Sequence, residues 1–175
     1  ADAVREVGAG LQISPNGAVV LRELGLGAAL ESASMQARAV RLCDGLSGDK
    51  VLEMDLARLR PAHGYHFLHR VDLIELLKQG AEAAGVTLRL LHKVTSLDLT
   101  GTRALLATST GESLSPTILI GADGLHSLTR AALNGQSAPF FTHQVAWRAL
   151  IPEQPGAVPV AEVHMGPGRH LVSYP

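Results

Sequence analysis

The chain has one cysteine, Cys43. That excludes an internal disulfide and a cysteine-based zinc cluster, and it points to a reducing, cytoplasmic setting. Apolar runs are short, Ile118-Leu119-Ile120 being typical, so no transmembrane helix is expected. The first ten residues lack the basic start and apolar stretch of a signal peptide. No basic block occurs and the formal net charge is -1, so no nucleic-acid partner is expected. No GxGxxG is present either: Gly8-Ala9-Gly10 is followed by Ile13 where a third glycine would stand. GxSxG is absent too, which leaves Ser127, with Asp123 and His126 nearby, only a distant resemblance to a hydrolase.

What remains is 175 residues, 46% hydrophobic, 18% charged and 3% aromatic. Such a chain can bury one real core and is not a disordered one. Ser14-Pro15 predicts a helix start, with Ala18, Leu21 and Leu24 at helical spacing and Gly25 as its stop. Residues 37–59 predict a hairpin around the polar turn Gly45–Asp49, with Cys43 as a small core residue. Residues 60–68 read as an irregular connection, and Val71–Ala84 as an amphipathic helix ended by Gly85. Strands are expected at Val86–Leu90, Val94–Leu99, Arg103–Ser109, Thr117–Ile120, Val145–Ile151, Val160–Met165 and His170–Tyr174, with a helix over Ser127–Leu133. This order suggests an α/β layer interleaved with a second, mainly antiparallel sheet formed by 35–69 and 139–175.

Three groups of residues carry chemistry. Gly121-Ala122-Asp123-Gly124 follows a buried-type strand and precedes a helix. The carboxyl end of such a strand is where open α/β sheets bind ligands, and an aspartate there can accept ribose hydroxyls. The same aspartate can equally cap the helix that follows. His63, His66 and His69 are spaced three apart, but Pro61 and Gly64 break a regular helix and no carboxylate completes a set, so no metal is expected. His170 and Tyr174 lie four apart on an expected strand, hence on one face with Val172. A histidine's ordinary pKa of about 6.5 suits proton transfer, although an ordinary sheet face would show the same pattern.

Four segments, taken together and in order, resemble the single-component FAD-dependent aromatic hydroxylases of the salicylate hydroxylase and para-hydroxybenzoate hydroxylase type. They are Gly8–Asn16 (GAGLQISPN), His69–Leu73 (HRVDL), Gly121–Arg130 (GADGLHSLTR) and Gly168–Pro175 (GRHLVSYP). The resemblance implies a fold, α/β, in which a Rossmann-like FAD-binding layer (1–34 and 70–138) alternates with a mainly antiparallel substrate-domain sheet (35–69 and 139–175). It assigns Arg70 to the flavin's ribityl or pyrophosphate part, where a guanidinium fork suits phosphate oxygens. Asp123 and Gly124 are implied near the pyrophosphate and ribose, Val94 at the adenine through its backbone, and Gln12 at the isoalloxazine. His170 and Tyr174 become the implied catalytic pair beside the flavin.

The implied reaction has two halves. NAD(P)H reduces FAD, and a flavin C4a-hydroperoxide then hydroxylates an electron-rich ring that His170 helps to deprotonate. The implied partners are a small aromatic substrate and O2, in a cytoplasmic enzyme of a kind that can form homo-oligomers. The first βαβ unit with its GxGxxG, expected before Gly8, is absent, and so is the Gly-Asp-x-x-His flavin motif expected downstream. The chain therefore reads as the middle of a longer enzyme, the FAD-binding layer is expected to be incomplete, and the piece is expected to be inactive alone. The competing reading is a non-catalytic binding or interaction module that has lost flavin.

Overall fold

The computed structural model describes residues 9–59, 64–152 and 155–175. They divide into two compact units, one holding 88–147 and the other 9–87 with 148–175.

The larger unit starts with β1 (Gly10–Ile13), which runs into α1 (Pro15–Glu23). Pro15 takes the first helical position, where its missing N–H costs nothing. Ser14 is the extended N-cap residue, but its hydroxyl bonds the Asn16 side chain instead of a backbone N–H. Gly25, at φ +77°, ends the helix: its N–H reaches the Arg22 carbonyl and the Leu26 N–H reaches that of Leu21. That pair of bonds is a Schellman motif, which an L-residue at positive φ would strain. A second helix, α2 (Gly27–Ala33), was not expected, because no capping residue marks its start.

β2 (Met35–Gln36), the hairpin β3 (Ala39–Asp44) and β4 (Lys50–Asp55), and the short α3 (Leu56–Leu59) follow. The hairpin turns where the polar 45–49 stretch predicts, with the Asp44 carboxylate accepting from the Leu46 and Ser47 N–H groups at 2.8 Å each. The stretch read as irregular holds β5 (His66–His69), which leads into α4 (Arg70–Ala83). The Schellman ending recurs there, with Gly85 at φ +79°.

Three strands, in the order β1-β5-β2, make an all-antiparallel sheet. Its pleat sends Leu11, Ile13 and Leu68 to one side, where they pack with Ala18 and Leu21 of α1, Leu30 of α2 and Leu76 of α4. Phe67 goes to the other side and packs with Ala37, Val40, Ala161, Tyr65 and Tyr174. Those last contacts join it to a four-stranded sheet in the order β10-β9-β3-β4, built with β9 (Val160–Gly166) and β10 (Arg169–Ser173). Its pairs are antiparallel except β3 with β9, where Val40 lies opposite Ala161. Cys43 is buried at 3% exposure. This unit is thus layered as helices, three-stranded sheet, four-stranded sheet, with apolar residues at both junctions.

The smaller unit contains the meander β6 (Val94–Asp98), β7 (Leu105–Thr108), β8 (Ser113–Leu114), and then α5 (Leu128–Asn134). Three expected strands are absent. Residues 86–90, 117–120 and 145–151 enter no ladder among the described residues. Ile118 and Ile120 are 78% and 84% exposed, and Trp147 is 95% exposed. β-branched composition alone does not make a strand, because the ladder must supply a paired neighbour.

The mixed α/β architecture with several sheets is the one expected.

Candidate active site

The face of the β1-β5-β2 sheet turned away from the helices gathers aromatic and amide side chains. Antiparallel register puts Gln12 opposite Phe67 and Gly10 opposite His69. Directly opposed residues share a face, so Gly10 and Gln12 stand beside Phe67. Phe67 is 2% exposed and anchors two rings. The Tyr65 ring meets it edge-on, with centroids 6.0 Å apart, and the Tyr174 ring meets it at a 31° tilt, 5.2 Å away.

Gly10 is a glycine for a steric reason. A Cβ built there would lie 2.8 Å from Tyr174 Cε2, 3.2 Å from its hydroxyl oxygen and 3.3 Å from Cζ. The phenolic end of Tyr174 therefore rests on bare backbone. Tyr174 itself lies one residue beyond β10, so it leaves the ladder and turns its ring onto Phe67. Pro175 favours the extended backbone that this requires.

The Tyr65 hydroxyl donates to Gln12 Oε1 at 2.6 Å. Burial raises the Tyr65 pKa above its ordinary value, and the neighbouring Tyr174 adds to the shift. Both keep the phenol protonated and donating. Among the described residues no acceptor takes the Gln12 N–H groups.

His170 sits on β10 opposite Met165 of β9, on the sheet face that carries Val172, Val163, Ala161 and Val40. It is exposed and takes no part in the Phe67 cluster. Arg70 is the first residue of α4, half-buried, and its backbone N–H donates to the Ala9 carbonyl at 3.3 Å. That bond ties the positive end of a 14-residue helix to the entry of β1. The structure thus brings Gly10, Gln12, Arg70 and Tyr174 to β1 and its surroundings, with His170 on the adjoining sheet.

The other predicted residues lie in the smaller unit. Val94 opens β6, half-buried. Asp123 braces α5: it accepts from the Ser127 hydroxyl at 2.5 Å, and from the Thr129 N–H at 3.1 Å and hydroxyl at 3.3 Å. The Ser127 hydrogen bond and the Thr129 N–H hold its carboxyl down at about 2. Ser127 in turn caps α5 by accepting from the Arg130 N–H at 2.9 Å. A serine doubly committed in this way is a cap, not a nucleophile. Gly124 has φ +75° and open space where a Cβ would stand.

Sequence reasoning missed Tyr65 and Phe67, and weighed His66 only as a metal ligand. The alternation in Tyr65-His66-Phe67-Leu68-His69 was the available signal, masked by Pro61 and Gly64 nearby. His66 is 1% exposed on the helix side of the sheet. Ser34 spends its hydroxyl hydrogen on the Leu30 carbonyl at 2.5 Å, so the 2.9 Å contact with His66 is donated by Nδ1. Among the described residues Nε2 has no hydrogen-bond partner, and it lies where a Cβ on Gly64 would come within 2.3 Å. Burial, then the charge of Arg22, lowers the pKa and keeps this ring neutral. Of the histidine triplet, His63 lies outside the described residues, and His66 and His69, three apart on β5, point to opposite faces. No group of three or more potential ligands gathers among the described residues.

Whether these residues fit a flavin dinucleotide is a matter of donor chemistry. A guanidinium in the first turn of a helix suits an anionic pyrophosphate. An amide whose N–H groups meet no acceptor among the described residues, beside packed aromatics, suits a planar heterocycle.

Comparison with known proteins agrees. Residues 8–163 match the family model described as FAD binding domain, so this chain belongs to that family of FAD-binding proteins. It is 31% identical over 176 residues to a 3-amino-4-hydroxybenzoate 2-monooxygenase of Streptomyces cremeus, covering 97% of this chain and 44% of that protein. It is 28% identical over 178 residues to 3-hydroxybenzoate 6-hydroxylase 1 of Aquipseudomonas alcaligenes, covering 97% and 45%. Among solved structures, Klebsiella pneumoniae R204Q HpxO complexed with FAD superposes with a TM-score of 0.75 at 26% identity, over 99% of this chain and 46% of that one. The chain spans less than half the length of these relatives. The resemblance to single-component FAD aromatic hydroxylases is borne out, and with it the fold class. No helix among the described residues is long and apolar enough to cross a membrane.

Proposed function

We propose that this chain forms part of an FAD-dependent monooxygenase that hydroxylates an aromatic ring bearing a hydroxyl group, a benzoate-like phenol being the substrate class. The observation that carries the reading is the Tyr174 ring seated on Gly10 beside Gln12, in a chain of the FAD-binding family. The net reaction consumes the aromatic substrate, O2, NAD(P)H and a proton, and yields the hydroxylated ring, NAD(P)+ and water. Bound FAD would supply the hydride acceptance and oxygen activation that no side chain provides.

The chain's own groups do the rest. Arg70 at the start of α4 would hold the dinucleotide's anionic part, and Gln12 would offer N–H donors to its ring. Val94 would meet the adenine through its backbone, and Asp123 and Gly124 the ribose and pyrophosphate. His170 accepts the phenolic proton at an imidazole nitrogen. That raises the ring's nucleophilicity, since a free phenol has a pKa of about 10. Tyr174 orients the substrate oxygen by its hydroxyl, and the Phe67 cluster excludes water.

The support lies in the relatives' names, hydroxybenzoate hydroxylases and aminohydroxybenzoate monooxygenases, and in the residue types gathered at β1. An absorption spectrum after adding FAD and desalting, followed by NADH and NADPH oxidation with 3-hydroxybenzoate, tests the reading. Retained flavin bands and aromatic-stimulated oxidation are expected. His170→Ala should cut the stimulated rate about 100-fold, within the usual range for a general base. A chain in its natural length that never retains flavin would sink the proposal.

A further inference from the structure

The amide of Gln12 can present either a carbonyl acceptor or N–H donors to a ligand, and the choice decides what it recognises. Tyr65 makes that choice. Its hydroxyl donates to Gln12 Oε1 at 2.6 Å, which engages the carbonyl end and leaves the N–H groups without a protein acceptor among the described residues. The Tyr65 ring is itself fixed edge-on against Phe67, which is nearly fully buried at the junction of the two sheets. The Tyr65 carbonyl also accepts from the Ala37 N–H at 2.7 Å, so its backbone is pinned as well. The phenol stays a donor because burial disfavours its ionised form. Flipping the amide would turn an N–H group toward the Tyr65 oxygen and take the acceptor away from the hydrogen of this half-buried phenol, so the bond as it stands favours one orientation.

We propose that Tyr65 is a positioning residue that locks Gln12 as a hydrogen-bond donor, so that this site selects a ligand edge bearing sp2 oxygen or nitrogen acceptors. The inference rests on the reading that Gln12 faces the flavin or its aromatic substrate. Either molecule carries such acceptors, and separate titrations tell them apart.

The experiment compares the full chain with Tyr65→Phe, Gln12→Glu and the double variant. Tyr65→Phe keeps the ring packing and loses only the bond. Gln12→Glu still accepts from Tyr65 but offers no N–H. FAD affinity is read by flavin fluorescence quenching, and 3-hydroxybenzoate affinity by the perturbed flavin spectrum of the loaded chain. Each single variant should weaken the same one of these ligands by about five- to tenfold, the size of one neutral hydrogen bond, with no further loss in the double variant. If Tyr65→Phe leaves both affinities within twofold, the proposal is overturned, whatever Gln12→Glu does.

A ligand-free readout separates this from failure of the functional reading. In a 15N–1H spectrum the two side-chain N–H signals of Gln12 should be distinct and sharp in the parent chain. They should shift toward the free-amide position in Tyr65→Phe. Unchanged signals overturn the positioning role, even if the parent chain binds neither ligand. Shifted signals with no ligand binding uphold it and reject the functional reading instead.

Discussion

At the residue scale, Gly10 carries more of the site than its size suggests. Its missing Cβ is the space that the Tyr174 phenol occupies. Gly10→Ala must push that ring away or bend β1, because one contact is below 3 Å. Overpacking of this kind costs about 1–3 kcal/mol. The expected outcome is a lowered denaturant midpoint together with changed near-ultraviolet circular dichroism from the displaced tyrosine. An unchanged aromatic signal would show that Tyr174 does not depend on Gly10. The Gly64–His66 contact follows the same logic on the other side of the sheet, where a neutral, fully buried imidazole faces a glycine.

At the element scale, α5 depends on a carboxylate outside it. Asp123 gathers the Ser127 hydroxyl, the Thr129 N–H and the Thr129 hydroxyl, and its pKa falls from the ordinary carboxylate range to about 2. A depressed pKa means that the folded state binds fewer protons than the unfolded state between the two values. The stabilisation is therefore complete above the ordinary carboxylate value of about 4 and is lost as pH falls through about 2. Resonances of Thr129 and Arg130 should follow a titration with that low midpoint, and Asp123→Asn should abolish it. A midpoint near 4 would contradict the brace.

The same scale shows what was readable in the chain. Helices α1 and α4 were legible because their signals are local: a proline or acidic residue in the first turn, apolar spacing, a glycine at the stop. The hairpin β3–β4 was legible for the same reason, since its turn residues lie between its strands. Residues 117–120 and 145–151 misled, because an apolar β-branched run records the wish for a partner and not its presence. β1 and β5 were missed because each is only four residues long, and their pairing spans more than fifty residues of intervening chain.

At the scale of the whole molecule, apolar surface is the feature with consequences. Within the smaller unit Ile118, Ile120, Phe140 and Trp147 all stand well exposed. Soluble monomers rarely leave several large apolar side chains uncovered, and such surface drives association. The 175-residue chain on its own is expected to self-associate in a concentration-dependent way. Sedimentation velocity that finds a monodisperse monomer at tens of micromolar would refute this.

The sequence by itself determined the class of the protein. Four short segments in order were enough to place it among the FAD-dependent aromatic hydroxylases, since a family signature can be carried by short local motifs in a fixed order. It also determined the capped helices and the turn of the hairpin. Only the tertiary structure decided that Tyr65 and Phe67 belong with Gln12 and Tyr174, that Gly10 is a seat for a phenol, and that Asp123 turns toward its own helix. The first two rest on the register of β1 against β5 and on the meeting of two sheets, contacts between residues far apart in the chain. The sequence let Asp123 accept from a ribose or brace a helix end; the folded turn shows the brace, with the hydrogens of Ser127 and Thr129 on its oxygens, and leaves carboxylate acceptor capacity for a ligand.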